Sequence, residues 1–142
     1  MLEPEWIDAV VKESLRLTPV LPIVGRTLQR DMELGGVLIP RGARAAPNVY
    51  LAHREESSWP DAHRFLPPRF LGAKSSPYTF LPFGGGVRRC IGMAFALLEM
   101  RIVIETVLRK VRIAATDTPI RIERRGVALA PSDGLPIVLS DR

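Results

Sequence analysis

From Glu5 to Leu17 apolar positions recur at helical spacing, with Ile7, Val10, Val11, Ser14, Leu15 and Leu17 on one arc and Asp8, Lys12, Glu13 and Arg16 around the other. The pattern predicts an amphipathic helix that Pro19 and Pro22 end, because proline has no amide to continue the ladder. The period then shortens to that of small strands, over Thr27 to Arg30, Met32 to Leu34 and Val37 to Ile39, with Gly35-Gly36 as a tight hairpin turn between the last two. Pro40-Arg41-Gly42 marks a further turn, Arg44 to Pro47 reads as one more strand, and Asn48 to Arg54 suffices for a short helix. Glu55 to Gly86 has no clean period and carries prolines at 60, 67, 68, 77 and 82. So long a segment without regular structure is expected to wrap something or to serve function.

The strongest apolar stretch opens at Cys90 and runs through Ala94, Phe95, Leu97, Leu98, Ile102, Val103, Val107 and Leu108 to Val111. It predicts a long, mostly buried helix, deepest in its N-terminal half, because charge thickens only toward Arg109, Lys110 and Arg112. Ile120 to Glu123 and Val127 to Ala130 read as strands, with Asp133-Gly134 as the hairpin turn between the second and Ile137-Val138-Leu139. Neither a repeat nor a linker interrupts the chain, so residues 1–142 are expected to form one unit. The fold class is α+β: one long helix after the cysteine, a shorter N-terminal one, small antiparallel sheets and a meandering loop.

Composition narrows the function. Apolar residues make up 46% and charged residues 25%, ordinary values that exclude a disordered chain. Thirteen prolines and eleven glycines in 142 residues favour turns over a helical bundle. The net charge of +5 comes from 17 arginines and three lysines, and this arginine excess points to a GC-rich bacterial source. The arginines are scattered, no five-residue basic run occurs and aromatics are only 6%, so nucleic acid is not an expected partner. The longest apolar run, Met93 to Leu98, is far short of a membrane span. A lone cysteine excludes an internal disulfide, a Cys₄ zinc site and an all-cysteine iron–sulfur cluster; a reducing, cytoplasmic location is expected.

The sharpest chemistry lies in Phe83-Gly84-Gly85-Gly86-Val87-Arg88-Arg89-Cys90-Ile91-Gly92, a glycine-rich loop that delivers Cys90 to the first turn of the long helix. The positive helix end and the two arginines favour negative charge on the sulfur, which suits a metal ligand or a nucleophile. Three glycines remove side chains from the space before it, as a flat cofactor requires. An inert, small core cysteine remains the plain alternative.

Phe83, Gly86, Arg88, Cys90 and Gly92 match Phe-x-x-Gly-x-Arg-x-Cys-x-Gly in full, and the loop resembles that of the cytochrome P450 family. Glu13-Ser14-Leu15-Arg16 is similar to the family's Glu-x-x-Arg, and Pro67-Pro68-Arg69-Phe70 to its Pro-x-Arg-Phe element, with Pro68 where the family usually has an acid. The resemblance implies a haem whose iron takes the Cys90 thiolate as axial ligand. It also implies Arg26, Arg88 and, less directly, His53 as partners of the propionates. Phe83 would pack beside the sulfur, Gly84, Gly85, Gly86 and Gly92 would shape the loop around it, and Ala94 would lie along the porphyrin. Arg89, Arg54 and Arg101 are expected to be surface charge.

By themselves Glu13 and Arg16 are an i,i+3 pair, ordinarily a solvated one. The resemblance implies instead that Glu13, Arg16 and Arg69 form a buried charge cluster that locks the proline-rich loop. The implied activity is monooxygenation of a small hydrophobic organic substrate. Electrons would come from a ferredoxin or flavoprotein, steered by Arg89 or Arg112 on a basic face. The resemblance spans the whole chain but only the C-terminal third of the family, so it implies a fragment with an N-terminal segment missing, incomplete in activity alone. Two rivals stand beside it. One is a non-catalytic haem-binding or apo remnant. The other is Cys90 acting with His53 or His63 as a thiol hydrolase or three-ligand metal site, which the His spacing and the lack of a nearby acid fit poorly.

Overall fold

The structure, a computed structural model, describes residues 3–72 and 75–142. Helix α1, Pro4–Leu17, starts on a proline, which costs nothing where the first-turn amides have no helical acceptor. It buries Ile7, Ala9, Val11 and Leu15 together with the charged Glu13 and Arg16. Its end is closed by Thr18, whose amide and hydroxyl both donate to the Ser14 carbonyl, at 2.8 and 2.7 Å.

After α1 the chain forms two small antiparallel ladders. Strand β1, Arg26–Thr27, pairs with β4, Arg44–Ala45, and β2, Met32–Leu34, pairs with β3, Val37–Ile39. Gly35 and Gly36 both take positive φ, 59° and 80°, as the predicted tight turn requires, and the register runs Met32 to Ile39 and Leu34 to Val37. β1 is shorter than expected, and Leu28 beyond it holds Ala43 and Gly42 by single backbone bonds. Helix α2, Val49–Ala52, is one turn capped by Asn48, whose side chain accepts from the Leu51 amide.

The segment from Glu55 to Gly86 contains a short 3₁₀ turn, Pro67–Phe70, and runs into a second, Gly86–Arg88, at its end; it does wrap something. Trp59, Ala62 and Phe70 close on Ala9 of α1, with Leu71 and Phe80 packed against them. Trp59, Phe70 and Phe80 meet in tilted and edge-on pairs at centroid separations of 5.1 to 6.0 Å, an aromatic cluster that holds the loop to the helix.

Helix α3, Met93–Lys110, overturns the expectation of depth: none of its residues is buried, and Phe95 is 70% exposed. Leu97, Met100 and Ile104 pack on Ile7, Val11 and Leu15, while Leu98, Ile102 and Val103 face outward. An all-round apolar pattern predicts cover on every side, and here the helix that packs across α3 is α1, on one side. Arg101 adds a two-pronged ion pair to Asp8, with its Nε 2.7 Å from Oδ1, so it joins the two helices rather than standing as free surface charge.

Strand β5, Val111–Ala115, leaves α3 directly and pairs with β8, Ile137–Asp141; β6, Ile122–Arg125, pairs with β7, Ala128–Pro131. The hairpin expected at Asp133-Gly134 therefore does not form. Pro136, just before β8, has no amide to donate to a ladder, whereas the two-residue connection at Gly126-Val127, with Gly126 at φ 64°, closes four pairs between β6 and β7. Leu129 of this hairpin donates to the Val20 carbonyl at 2.8 Å, which ties it to the segment after α1. The described residues thus form an α+β fold with four two-stranded sheets around the α1–α3 pair.

Candidate functional site

A buried charge cluster sets the frame. Glu13 and Arg16 are fully buried, and Arg16 commits every N–H it has: Nε and one Nη2 proton go to Glu13 at 2.7 and 2.9 Å. The rest go to the carbonyls of His53, Ala62 and Arg64 at 2.6, 2.7 and 3.1 Å. Glu13 also accepts from the Leu66 amide at 2.8 Å and from Arg69 Nε at 3.2 Å. Burial alone would raise the Glu13 pKa, but the Arg16 bonds, the Leu66 amide and the Arg69 charge outweigh it and leave the net shift downward. Both guanidiniums also lie over the Trp59 ring, at 5.4 and 5.9 Å from its centroid. The Trp59 Nε1–H itself has no acceptor among the described residues. The cluster clamps the loop from His53 to Arg69 onto α1, which the ordinary solvated reading of an i,i+3 pair would not do.

His53 belongs to this frame and corrects the expectation that it meets a propionate. It is fully buried, and both ring nitrogens are taken. Leu81 N–H donates to Nε2 at 2.8 Å, and Nδ1 stands 3.0 Å from the Arg16 carbonyl. An amide only donates and a carbonyl only accepts, so the proton sits on Nδ1 and the ring is neutral. Desolvation, with the charges of Arg16 and Arg54, brings its pKa down to about 4 against the bond to Arg16. Arg54 is likewise engaged rather than free: it lies 3.6 Å over the Tyr50 ring and donates to the Leu17 carbonyl.

The glycine loop follows. Gly84 N–H donates to the Leu81 carbonyl and Cys90 N–H to the Phe83 carbonyl, both at 2.9 Å, so the loop folds back on its own start. Gly84 and Gly86 take φ of 72° and 64°, a region that side-chain-bearing residues avoid. Gly85 is needed for another reason, since a Cβ there would lie 3.1 Å from Leu81 Cδ2. Cys90 is exposed and does not lie in the first turn of α3: the helix begins at Met93 with Gly92 as its N-cap. The sulfur nevertheless leans on the helix start, 3.8 Å from where a Gly92 Cβ would be. The amides of Ile91 and Gly92 have no acceptor among the described residues.

Cys90 opens on a hollow of about 480 Å³ with walls of Leu15, Val20, Leu21, Val24 and Leu81, and with Arg26, Arg88, Phe83 and Gly84 in its lining. A second hollow, about 410 Å³, shares Val24, Arg26, Leu81 and Gly84 with it and adds Tyr78, Gly85 and Gly86. A third, about 470 Å³, is lined by Phe83 and Gly84–Gly86 again, but with Lys12, Arg89, Met93 and Leu97. The glycine loop is therefore a thin wall between spaces. Arg26, Arg88, Phe83 and Gly84 share the hollow of Cys90, Gly85 and Gly86 line the two adjoining ones, and Gly92 lines none of the three. Ala94 is exposed on α3 and lines none of these hollows, and Arg112 borders a separate one with Ile7, Leu108 and Arg142, apart from Arg89. Leu81 is the residue the sequence left unmarked, because the bond that engages it comes from His53, 28 positions away.

The family model described as Cytochrome P450 matches residues 5–137. The chain is 46% identical over 114 residues to cytochrome P450 135B1 of Mycobacterium tuberculosis, covering 80% of this chain and 24% of that one. It is 36% identical over 146 residues to cytochrome P450 4c3 of Drosophila melanogaster, covering 100% of this chain and 27% of that one. It spans about a quarter of the length of these relatives. Among solved structures, retinoic acid-bound cyanobacterial CYP120A1 superposes with a TM-score of 0.87 at 27% identity, over 96% of this chain and 32% of that one. A zebrafish cytochrome P450 with progesterone gives 0.84 at 31% identity, over 97% and 32%. With the family model matched from α1 to the start of β8 around an exposed Cys90 and its glycine loop, the chain belongs to the cytochrome P450 family.

Proposed function

We propose that residues 1–142 are one portion of a P450 domain that holds a haem through the Cys90 thiolate, and that the protein serves monooxygenation of a small hydrophobic organic substrate. The observation that carries this is an exposed sulfur on a glycine loop, facing an apolar hollow of about 480 Å³ that also contains Arg26 and Arg88. No group of three or more His, Cys, Asp and Glu among the described residues could hold a bare metal ion. A metal that arrives in its own macrocycle and asks for one protein ligand is what this donor set fits.

When bound, the haem iron supplies the dioxygen chemistry that places one oxygen atom in the substrate, and a thiolate ligand favours O–O cleavage by donating electron density. The chain's own residues do the holding. Arg26 and Arg88 make no ion pair among the described residues, which leaves their guanidiniums to take two propionates. The amides of Ile91 and Gly92, next to the sulfur in the chain, have no acceptor among the described residues and are the donors that would moderate its strength. Phe83 and Leu81 give the hollow apolar walls beside the sulfur. His53 is left out of this site because its nitrogens are committed.

An acidic ferredoxin or flavoprotein is the electron donor that the cationic hollow of Lys12 and Arg89 suits, and this hollow shares the glycine loop. An apolar substrate agrees with the retinoic acid and progesterone named for the two similar structures. No helix among the described residues is long and apolar enough to cross a membrane, and the lone thiol supports a cytoplasmic reading. The test is to add hemin to the chain, reduce it and record the carbon monoxide difference spectrum for the wild type and Cys90→Ala. A strongly red-shifted Soret band, lost in the variant, is expected. Absence of haem uptake, or uptake that the variant shares unchanged, overturns the reading.

A further inference from the structure

His53 is clamped by Arg16 in both directions. The Arg16 guanidinium donates to the His53 carbonyl at 2.6 Å, and the His53 Nδ1–H donates to the Arg16 carbonyl at 3.0 Å. Its ring is stacked on Phe80, 5.5 Å between centroids with 25° between planes, and meets Trp59 edge-on. What this fixed ring holds is Leu81, the residue after Phe80. Leu81 touches the glycine loop in two more ways: its carbonyl accepts from Gly84 N–H at 2.9 Å, and its side chain packs over Gly85. Phe83, two residues on, accepts the Cys90 amide at 2.9 Å. Every step from the buried charge cluster to the cysteine is a hydrogen bond or a short, bonded turn.

We propose that His53 is a positioning residue for Cys90: its Nε2 lone pair fixes the Leu81 amide and so sets where the glycine loop presents the sulfur. This rests on the reading of Cys90 as the haem ligand. The ring suits the task because a leucine amide needs an acceptor at a defined place inside a half-buried loop, and His53 offers one whose second nitrogen is already committed. A carbonyl from the loop itself would move with the loop. The Arg16 side of the link cannot yield, since all five Arg16 donors are used in the core.

The test compares His53→Asn with His53→Gln in the full chain. Asparagine places its amide nitrogen near the position of Nδ1 and keeps the bond to Arg16, but does not reach Leu81. Glutamine reaches the position of Nε2 and can accept from Leu81. Amide hydrogen exchange should show Leu81 and Cys90 exchanging roughly tenfold faster in His53→Asn, the size of one lost hydrogen bond, and near wild-type rates in His53→Gln. With hemin and carbon monoxide, the Soret band of His53→Asn should move toward that of Cys90→Ala while His53→Gln keeps the wild-type position. The proposal is overturned if Cys90 keeps its protection when Leu81 has lost it, or if the two variants behave alike. Should His53→Asn not fold, native-state exchange of the wild type under rising urea decides the matter. Leu81 and Cys90 should then open in one event, and separate openings overturn the coupling. A wild-type chain that takes up no haem overturns the ligand reading alone, since the exchange experiment needs no haem.

Discussion

Arg16 spends its five N–H donors on Glu13 and three carbonyls, which makes it the residue least open to substitution in the molecule. Lysine carries the charge but only three donors from one point, so Arg16→Lys leaves Glu13 and some of those carbonyls unpaired in the core. Breaking a buried pair in this way is expected to cost about 3–5 kcal/mol, read as a lower urea midpoint with an unchanged slope. An Arg16→Lys chain as stable as wild type would show that the cluster contributes nothing to folding. The same cluster dictates the response to acid. His53 has its pKa pushed from 6.5 to about 4, so below 6.5 the unfolded chain binds a proton the folded one refuses. Stability is full above pH 6.5 and falls through the window down to about 4. Within that window the slope approaches about 1.4 kcal/mol per pH unit, since one proton is involved. The Glu13 pKa is lowered too, so its contribution is present above 4.5 and is lost as pH falls further through the folded value. Urea melts between pH 7.5 and 4 should show the first loss already near pH 6, and His53→Gln should remove it while leaving the later one. A flat profile down to pH 4.5 would rule out a buried neutral His53.

At the scale of elements, what the sequence makes legible is what neighbours along the chain decide. The β2–β3 hairpin is formed where Gly35-Gly36 predicts it, because the two positive φ values it needs are a property of those residues alone. The motif around Cys90 is legible for the same reason: its glycines act locally, by conformation at Gly84 and Gly86 and by space at Gly85. The β6–β7 pairing is obscured because two glycine turns, at Gly126 and Gly134, compete within ten residues, and each follows or precedes an apolar run that could pair across it. The burial of Glu13 and the work of His53 are not legible in spacing at all, since the partners of Glu13 other than Arg16, and those of His53, lie between 28 and 56 positions away and the bonds exist only once the loop has wrapped α1. For Glu13 a family resemblance supplied what periodicity could not; for His53 nothing did. The local part can be tested in isolation. Gly86→Ala and Gly84→Ala meet no atom within 4 Å, so their only penalty is the left-handed backbone. Each is expected to cost about 1–2 kcal/mol. Gly25→Ala, where φ is not positive and space is open, should cost far less. Thermal unfolding of the three variants checks this, and equal losses in all three would remove the conformational explanation.

The whole molecule shows more surface than its mass should. Its accessible area is 10664 Å², whereas a folded monomer of 15.8 kDa is expected to show roughly 7,300 Å². Much of the excess is apolar: Val87 and Ile91 beside the cysteine are fully exposed, and Leu98, Ile102 and Val103 are more than half exposed along α3. A stable protein–protein interface takes only about 800 Å² from each partner, so there is surplus enough for several contacts. A face of this kind is covered in solution, and for the chain by itself the available cover is another copy. Self-association at micromolar concentration is the expected outcome, seen as a mass that rises with concentration in sedimentation or light scattering, together with binding of an apolar dye. The net charge of +5 opposes it, so added salt should strengthen association by screening the repulsion, the reverse of what an ion-pair interface would do. Ile102→Glu with Val103→Glu places like charges on the outward side of α3, away from Leu97, Met100 and Ile104 that pack on α1. The double variant should therefore stay monomeric to higher concentration and bind less dye at an unchanged urea midpoint. A wild-type chain that is monomeric and dye-free would mean that the outer face of α3 finds cover within its own fold.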